Sequence, residues 1–274
     1  MDAREHLRNG DIGAALLALQ SQVRSEPANA KLRVFLFQLL CVNGEWDRAL
    51  TQLNVSGDMD AGTLGMVQVY REALRNEALR REIFAGRKTP LIFGDPQQWM
   101  ALLFEALKLT AAGETKKAQA LRAQAFEEAP AASGSINGAP FEWIADGDSR
   151  LGPMLEAVVN ARYYWIPFSH IANVKIEKPE DLRDIVWTPA QFTWINGGQA
   201  VGFIPTRYPG SETHTDSNVR LARRTEWQDL GHETYIGLGQ RMLTTDVDDY
   251  PLMEVREISF ADGDGGSAPA DGNA

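Results

Sequence analysis

The chain of 274 residues has one cysteine and four histidines, and these small numbers restrict its chemistry. A single cysteine, Cys41, cannot form an intrachain disulfide, and the apolar run around it indicates a small buried side chain. The histidines lack the spacing of zinc ligands, and no cysteine is placed to pair with them. The sequence therefore predicts no metal and no other cofactor.

Long apolar runs and an excess of positive charge are also missing. No uninterrupted apolar stretch approaches the ~20 residues of a membrane span, and the start of the chain lacks the apolar centre of a secretion signal. We therefore expect a cytoplasmic protein. The net charge of −10 argues against binding to nucleic acid or to an anionic membrane, because both attract clustered lysine and arginine.

The common catalytic motifs are absent as well. The sequence contains neither a Gly-x-Ser-x-Gly elbow nor a phosphate-binding loop ending in Gly-Lys-Ser or Gly-Lys-Thr. Asp146-Gly147-Asp148 begins like a calcium loop, but Arg150 and Ala157 occupy positions that require oxygen ligands. This stretch is therefore predicted to be a solvated turn, and the chain is predicted not to be an enzyme.

An enzymatic alternative stays open in the second half of the chain. His214 is followed closely by Asp216, which could orient its imidazole, and Arg241 could supply a positive charge. This hypothesis requires the three side chains to converge on one pocket. If the structure places these side chains apart from one another, the hypothesis is wrong.

A short phrase recurs in the first half. Each copy joins a glycine to an alanine five residues later: Gly10 and Ala15, Gly44 and Ala49, and Gly113 and Ala118. The first two glycines are 34 residues apart, which is the period of the tetratricopeptide repeat, a helix–turn–helix unit. Pro27 and Pro130 follow the first and third glycines at the same distance and are expected to end the second helix of each pair.

These patterns predict a helical first domain, residues 1–135. The helices are expected at 12–23, 29–42, 46–53, 64–84, 95–109 and 115–128. A TPR-like helical-repeat array explains both the period and the glycines, which would provide the tight turns between paired helices. Ordinary helical hairpins without repeat ancestry stay open as the alternative.

The second half has the composition of a β-rich domain, residues 136–260. Small residues at 131–135 indicate a linker, and the last residues, 261–274, are expected to be a disordered tail. Strands are predicted at 141–145, 154–159, 163–167, 174–177, 191–195, 200–204, 220–227, 237–243 and 252–260. Asn196-Gly197-Gly198 favours a hairpin turn. The predicted fold class is α+β, with the helical array followed by an antiparallel β-rich, barrel or sandwich-like domain.

Several phrases in the second half resemble one known family. They are Arg162-Tyr163-Tyr164-Trp165-Ile166-Pro167-Phe168, the stretch from Asp181 to Ala190, Ile204-Pro205-Thr206-Arg207-Tyr208-Pro209-Gly210-Ser211, Thr225-Glu226-Trp227 and the stretch from Gly237 to Leu243. Together they resemble the ImpE family, also called TagJ or SciE type, of accessory proteins of the bacterial type VI secretion system. The resemblance covers nearly the whole chain.

The resemblance implies a cytoplasmic, non-enzymatic protein. Its expected partner is the N-terminal helix of the small subunit of the contractile sheath. The resemblance also implies that the protein acts alongside the ATPase that recycles contracted sheath. The family has no catalytic motif, so no active-site residue is carried over.

A stacked-helix array would present the first helix of each pair on its concave face. The candidate groove residues are Val34, Phe35, Gln38, Leu103 and Leu107. They are mostly apolar where a clamp for a peptide carboxylate would need lysine and asparagine, so such a groove suits an amphipathic helix. A general helical-repeat scaffold unrelated to secretion stays open as an alternative function.

Overall fold

The computed structural model describes residues 2–261. The helices are α1 (Ala3–Arg8), α2 (Ile12–Ser25), α3 (Ala30–Val42), α4 (Trp46–Met59), α5 (Leu64–Phe84), α6 (Gln98–Ala111), α7 (Thr115–Glu128) and α8 (Ser217–Arg220). The strands are β1 (Leu91–Ile92), β2 (Gly134–Ile136), β3 (Ala139–Phe141), β4 (Ile144–Asp146), β5 (Met154–Val159), β6 (Arg162–Pro167), β7 (Ile171–Ile176), β8 (Trp187–Trp194), β9 (Gln199–Pro205), β10 (Thr225–Asp229), β11 (Tyr235–Gly239), β12 (Met242–Thr245), β13 (Asp249–Pro251) and β14 (Glu257–Phe260). The α+β class is confirmed.

Three helix pairs, α1–α2, α3–α4 and α6–α7, are each joined by a turn of three residues. The middle residue of each turn is one of the predicted glycines, Gly10, Gly44 or Gly113, with φ of 80°, 72° and 79°. Residues with a side chain rarely adopt this left-handed conformation, so glycine is what lets the chain reverse so tightly. The recurring phrase thus located all three turns.

The main sheet has nine strands in the order β1-β6-β5-β9-β8-β7-β14-β2-β3. Its pairings are antiparallel except for β1, which runs parallel to β6. Two smaller sheets accompany it, one with the order β13-β12-β4 and the other a ribbon of β10 and β11. The predicted turn at 196–198 joins β8 to β9, which pair along their length.

The two faces of the main sheet have different surroundings. Alternate residues such as Leu155, Phe192 and Ile258 point into a core formed within the β-rich half. On the opposite face, which we call the outer face, Trp165 and other residues of β5 and β6 pack against α5, α6 and α7. The outer face of β7, β8 and β9 carries exposed side chains and lies next to α5.

Four predicted strands are wrong in part. The segment 141–145 is divided between the end of β3 and the start of β4, with Glu142 and Trp143 outside both strands. The segment 220–227 starts at the end of α8, and 237–243 is split between β11 and β12. The segment 252–260 opens with a 3-10 turn, Leu252–Glu254, before β14 begins. In each case a continuous β-prone composition hides a change of direction that contacts with other elements impose.

The predicted linker at 131–135 is also wrong in part, because Gly134 and Ser135 belong to β2. A Cβ atom on Gly134 would lie 2.1 Å from the carbonyl oxygen of Ser259, so only glycine permits this approach of β2 to β14. A small residue at this position suggests a flexible linker, but in the structure Gly134 allows β2 to pack closely against β14. The short strand β1 was not predicted either, since two residues carry no periodic pattern.

Hydrophobic cores cross the predicted boundary at residue 135. One core combines α1 to α4 and the start of α5 with Trp187 of β8, and another combines α6 and the end of α5 with Trp165 of β6. The division into domains 1–135 and 136–260 stays a prediction. The predicted disordered tail, 261–274, lies outside the described residues apart from Ala261.

Candidate partner-binding site

The structure separates the five predicted groove residues. Val34 and Phe35 are half-buried on α3, whereas Gln38 on the same helix is only 6% exposed. Leu103 and Leu107 on α6 are 0% and 3% exposed. Gln38, Leu103 and Leu107 therefore do not line an open groove, and this part of the prediction is corrected.

The reason lies in where α6 packs. Leu103 and Leu107 share a core with Met154 and Trp165 of the main sheet, while Phe35 packs against the core of the first helices. The third helix pair thus covers the sheet instead of extending one concave surface from α3. Sequence periodicity shows that a helix has an apolar face, but it does not show what covers that face.

A small groove does remain beside Phe35. It has a volume of about 230 Å³ and is lined by Asp2, Ala3, Arg4, Gln22, Lys31, Leu32 and Phe35. The Arg4 guanidinium lies over the Phe35 ring, 5.2 Å from its centroid. Phe35 is half-buried and lines this groove, so Val34 and Phe35 stay predicted contacts.

A larger open groove runs between α5 and the outer face of the main sheet, with a volume of about 540 Å³. We call it the α5 groove. Its lining residues are Gln68, Val69, Glu72, Val158, Asn160, Ala161, Lys175, Glu177, Pro189, Ala190, Gln191, Val201, Gly202 and Phe203. Val69 is 46% exposed and Val201 is 73% exposed, so valine side chains from both the helix and the sheet face solvent here.

The sequence predicted the elements that form the α5 groove but not the groove. Residues 64–84 and 200–204 were assigned to a helix and a strand, and α5 and β9 contain them. Val201 and Phe203 alternate with residues of the opposite face, as in any strand with apolar residues on both sides. No local signal distinguishes a covered outer face from an open one.

The three residues of the enzymatic alternative do not form one site. Arg241 is fully buried, and its guanidinium contacts Asp146, Glu156 and the carbonyl oxygen of Pro205. His214 Nδ1 accepts a hydrogen bond from the backbone N–H of Asp216 at 3.1 Å. The hydrogen bonds and ion pairs of Arg241 therefore lead away from this pair into the interior.

Glu156 is the centre of that interior network. Arg80 of α5 donates from Nε and Nη2 to its carboxylate at 3.0 and 2.8 Å, and Tyr163 donates its hydroxyl at 2.9 Å. Burial raises the pKa of Glu156, but the guanidinium groups of Arg80 and Arg241 outweigh it and hold the pKa below its usual value. Since Glu156 is 0% exposed, these charges join α5 to the sheet and are not open to a substrate.

The predicted solvated turn at 146–148 is wrong, because Asp146 and Asp148 are 4% and 0% exposed. Tyr208 donates to Asp146 at 3.0 Å, and Arg150 donates to Asp148 from Nε at 2.9 Å. Burial raises the pKa of Asp146 to about 6 despite the attraction of Arg241. Arg150 is a local partner of Asp148, but Arg241, which pairs with Asp146, comes from a distant position that the local pattern does not connect.

The described part of the chain shows no arrangement for a metal or a membrane span. Within residues 2–261, no group of three or more His, Cys, Asp or Glu side chains is placed to hold a metal ion. No helix in the same range is both long and apolar enough to cross a membrane.

Comparisons with known proteins place the chain in a family. The family model described as "ImpE protein" matches residues 138–259. The type VI secretion system accessory component TagJ of Pseudomonas aeruginosa strain PAO1 is 53% identical over 260 residues, which cover 95% of this chain and 91% of the relative. A crystal structure of a Vibrio parahaemolyticus protein superposes with a TM-score of 0.84 at 24% identity, over 94% of this chain and 97% of that one, and supports the fold. The chain belongs to the ImpE family, and the resemblance seen in its motifs is confirmed.

Proposed function

We propose that this protein is a non-enzymatic, cytoplasmic adaptor of the type VI secretion system. It binds the N-terminal helix of the small sheath subunit and modulates recycling of the sheath by its ATPase. The observation that carries the proposal is the 53% identity, over nearly the full length of both chains, to a protein named as an accessory component of that system.

The architecture is compatible with an adaptor. We infer that the paired helices are TPR-like, since each pair turns at a glycine within a phrase that recurs along the chain. Helical arrays of this kind act by offering surfaces to peptides and helices. Two open grooves, the one beside Phe35 and the α5 groove, are accessible to such a ligand.

The test is calorimetric titration of the purified full chain with a synthetic peptide carrying the N-terminal helix of the small sheath subunit from the same bacterium. We expect binding in the micromolar range, about −8 kcal/mol, because the anchors must also offset the loss of free motion. A peptide of the same composition with a central proline, which interrupts a helix, is the control. Absence of heat at high micromolar concentration contradicts the proposal.

The effect on recycling is measured separately. Preassembled sheath is incubated with the ATPase, and its disassembly is followed by light scattering with and without this protein. We expect the rate to change, and the peptide that binds in the titration to reverse the change by competition. An unchanged disassembly rate at a saturating concentration of this protein would contradict the proposed role in recycling. It would not contradict binding to the sheath subunit.

A further inference from the structure

We propose that the open face of the small sheet β13-β12-β4, together with the neighbouring ribbon, binds an extended segment of a partner protein that carries two arginines. We call this surface the tryptophan face. Its residues are Trp143, Ala145, Trp227, Thr244 and Asp249. The inference goes beyond the proposed function, because it describes a second binding surface that shares no residue with the two grooves and takes a different kind of ligand.

The small sheet has one covered face and one open face. Ile144 and Leu243 point into the core of the β-rich half. The next residue of each strand points the other way, and there Ala145 and Thr244 form a direct cross-strand pair. Asp249 of β13 pairs with Thr244 from the other side and is exposed. A row of short side chains thus crosses the open face and ends at a carboxylate.

A tryptophan lies at each end of this face. Trp143 is two residues before Ala145, so the alternation of the strand places it on the same side, and it is 41% exposed. Trp227 of β10 lies against Gly147, two residues after Ala145, because a Cβ added to this glycine would be 2.9 Å from Cη2 of the indole. The Tyr208 ring supports Trp227 from one side, with 5.7 Å between centroids, and the tryptophan is still 44% exposed.

The exposed aromatic side chains of the described chain lie around one short segment, residues 143–152. Within residues 2–261 these side chains are Phe126, Trp143, Trp227 and Tyr235. Phe126 packs over Gly152, and Tyr235 donates its backbone N–H to Ser149 Oγ at 3.0 Å. Single exposed aromatic residues are normal on a protein surface, but their concentration around one segment indicates a surface that binds a partner.

The charges at the tryptophan face are negative. Glu142, Asp246, Asp248 and Asp249 are exposed, and none of them makes an ion pair within residues 2–261. In the same range the Asp249 carboxylate accepts no hydrogen bond, although its backbone N–H donates to Asp248. Residues 139–149 and 242–255 contain no lysine or arginine. The complementary ligand therefore carries positive charge.

Arginine fits this surface better than lysine, because its planar guanidinium can stack on an indole and donate to a carboxylate at the same time. Trp143 and Gly147, on which Trp227 lies, are four residues apart, or about 13 Å along a strand. An extended ligand has the same spacing between residues i and i+4, whose side chains point to one side. On a helix, residues i and i+4 are only about 6 Å apart and would not reach both rings. The predicted ligand is thus an extended segment with arginines at i and i+4.

The experiment titrates the isotope-labelled full chain with the capped peptide Arg-Gly-Ser-Gly-Arg and follows the indole N–H signals of the seven tryptophans by NMR. Single Trp→Phe variants assign the signals. We expect those of Trp143 and Trp227 to shift, with a Kd of about 1 mM, and the others to stay in place. The control peptide Arg-Arg-Gly-Ser-Gly has the same composition and should bind about threefold more weakly, because its adjacent arginines cannot reach both rings.

Two variants test the contacts. Trp143→Ala removes one ring and Asp249→Lys reverses the charge between the rings, and we expect each to raise the Kd at least about fivefold. Glu105→Lys is the matched control, because it reverses an exposed carboxylate on α6 outside the tryptophan face, and it should change the Kd by less than about twofold. Circular dichroism and thermal melting check that each variant keeps the fold.

The outcomes separate this proposal from the proposed function. Shifts of the two indole signals that both variants weaken, with Glu105→Lys unchanged, support the tryptophan face. No shift at several millimolar peptide, or equal losses in Glu105→Lys and Asp249→Lys, overturns it and leaves the proposed function standing. Shifts of the same two signals by the sheath-helix peptide would overturn it as a second surface. Absence of heat with the sheath-helix peptide overturns only the proposed function. A wild-type dimer that Trp143→Ala dissociates, detected by analytical ultracentrifugation, identifies a second copy as the occupant and overturns the arginine segment.

Discussion

At the scale of single residues, the most informative group is the fully buried carboxylate of Glu156. Its two arginine partners are Arg80 of α5 and Arg241, the residue before β12, so one side chain connects elements far apart in the sequence. Removing a charge from water is costly, and such a carboxylate stays ionised only where opposite charges and hydrogen bonds surround it. Arg80 and Arg241 provide the charges and Tyr163 the hydrogen bond.

We predict that Glu156→Gln lowers the free energy of unfolding by about 3–5 kcal/mol, because two buried guanidinium groups lose their shared counter-charge. Urea denaturation followed by tryptophan fluorescence measures the change. Glu105→Gln is the matched control, since its pair with Lys108 is exposed and should matter far less. Equal effects in the two variants would mean that the interior network does not stabilise the fold.

At the scale of elements, the three glycine turns look alike in sequence but differ in surroundings. Gly44 and Gly113 have nearly the same φ, 72° and 79°. A Cβ at Gly44 would lie 2.5 Å from Cγ and 2.9 Å from Cβ of Glu212, whereas one at Gly113 meets nothing within 4 Å. The turn between α3 and α4 therefore packs against the β-rich half, while the turn between α6 and α7 is free.

We predict that Gly113→Ala costs about 1–2 kcal/mol, the strain of a left-handed conformation alone, and that Gly44→Ala costs more. The additional cost arises because the near end of the Glu212 side chain cannot move aside without shifting its backbone. Denaturant midpoints of the two variants, measured in parallel, check the order. If Gly113→Ala proves the more damaging change, the packing described at Gly44 is wrong.

At the scale of the whole molecule, the helical and β-rich halves are connected through the interior. Trp187 donates its indole N–H to Glu77 at 2.9 Å, and Arg207 donates from Nη1 to the carbonyl oxygen of Val42 at 2.9 Å. Together with the ion pair of Arg80 and Glu156, these hydrogen bonds cross the interface between the two halves. Separating the halves would break them and leave buried polar groups without partners. The two halves should depend on each other for stability.

We predict one cooperative unfolding transition for the full chain. The helical signal at 222 nm, by far-ultraviolet circular dichroism, reports mainly on the first half, and tryptophan fluorescence reports mainly on the second, which holds five of the seven tryptophans. The two curves in urea should coincide. Loss of the helical signal at a lower urea concentration would instead support independent domains divided near residue 135.

The sequence alone determined the features that short-range chemistry controls. Helices and their turns follow from apolar periodicity and from glycines that must be left-handed, so Gly10, Gly44 and Gly113 were assigned correctly. The family could also be inferred from the sequence alone, because the resemblance rests on short motifs in the second half, such as the stretch from Arg162 to Phe168.

Only the tertiary structure decided which faces stay open. Leu103 and Leu107 have the pattern of groove residues but are sealed against the sheet, and Val201, in an ordinary strand pattern, is exposed. Asp146 has the local signature of a solvated turn, but Arg241 holds it in the interior. The physical reason is that burial depends on contacts between distant segments, whereas propensity and periodicity act only over a few neighbouring residues.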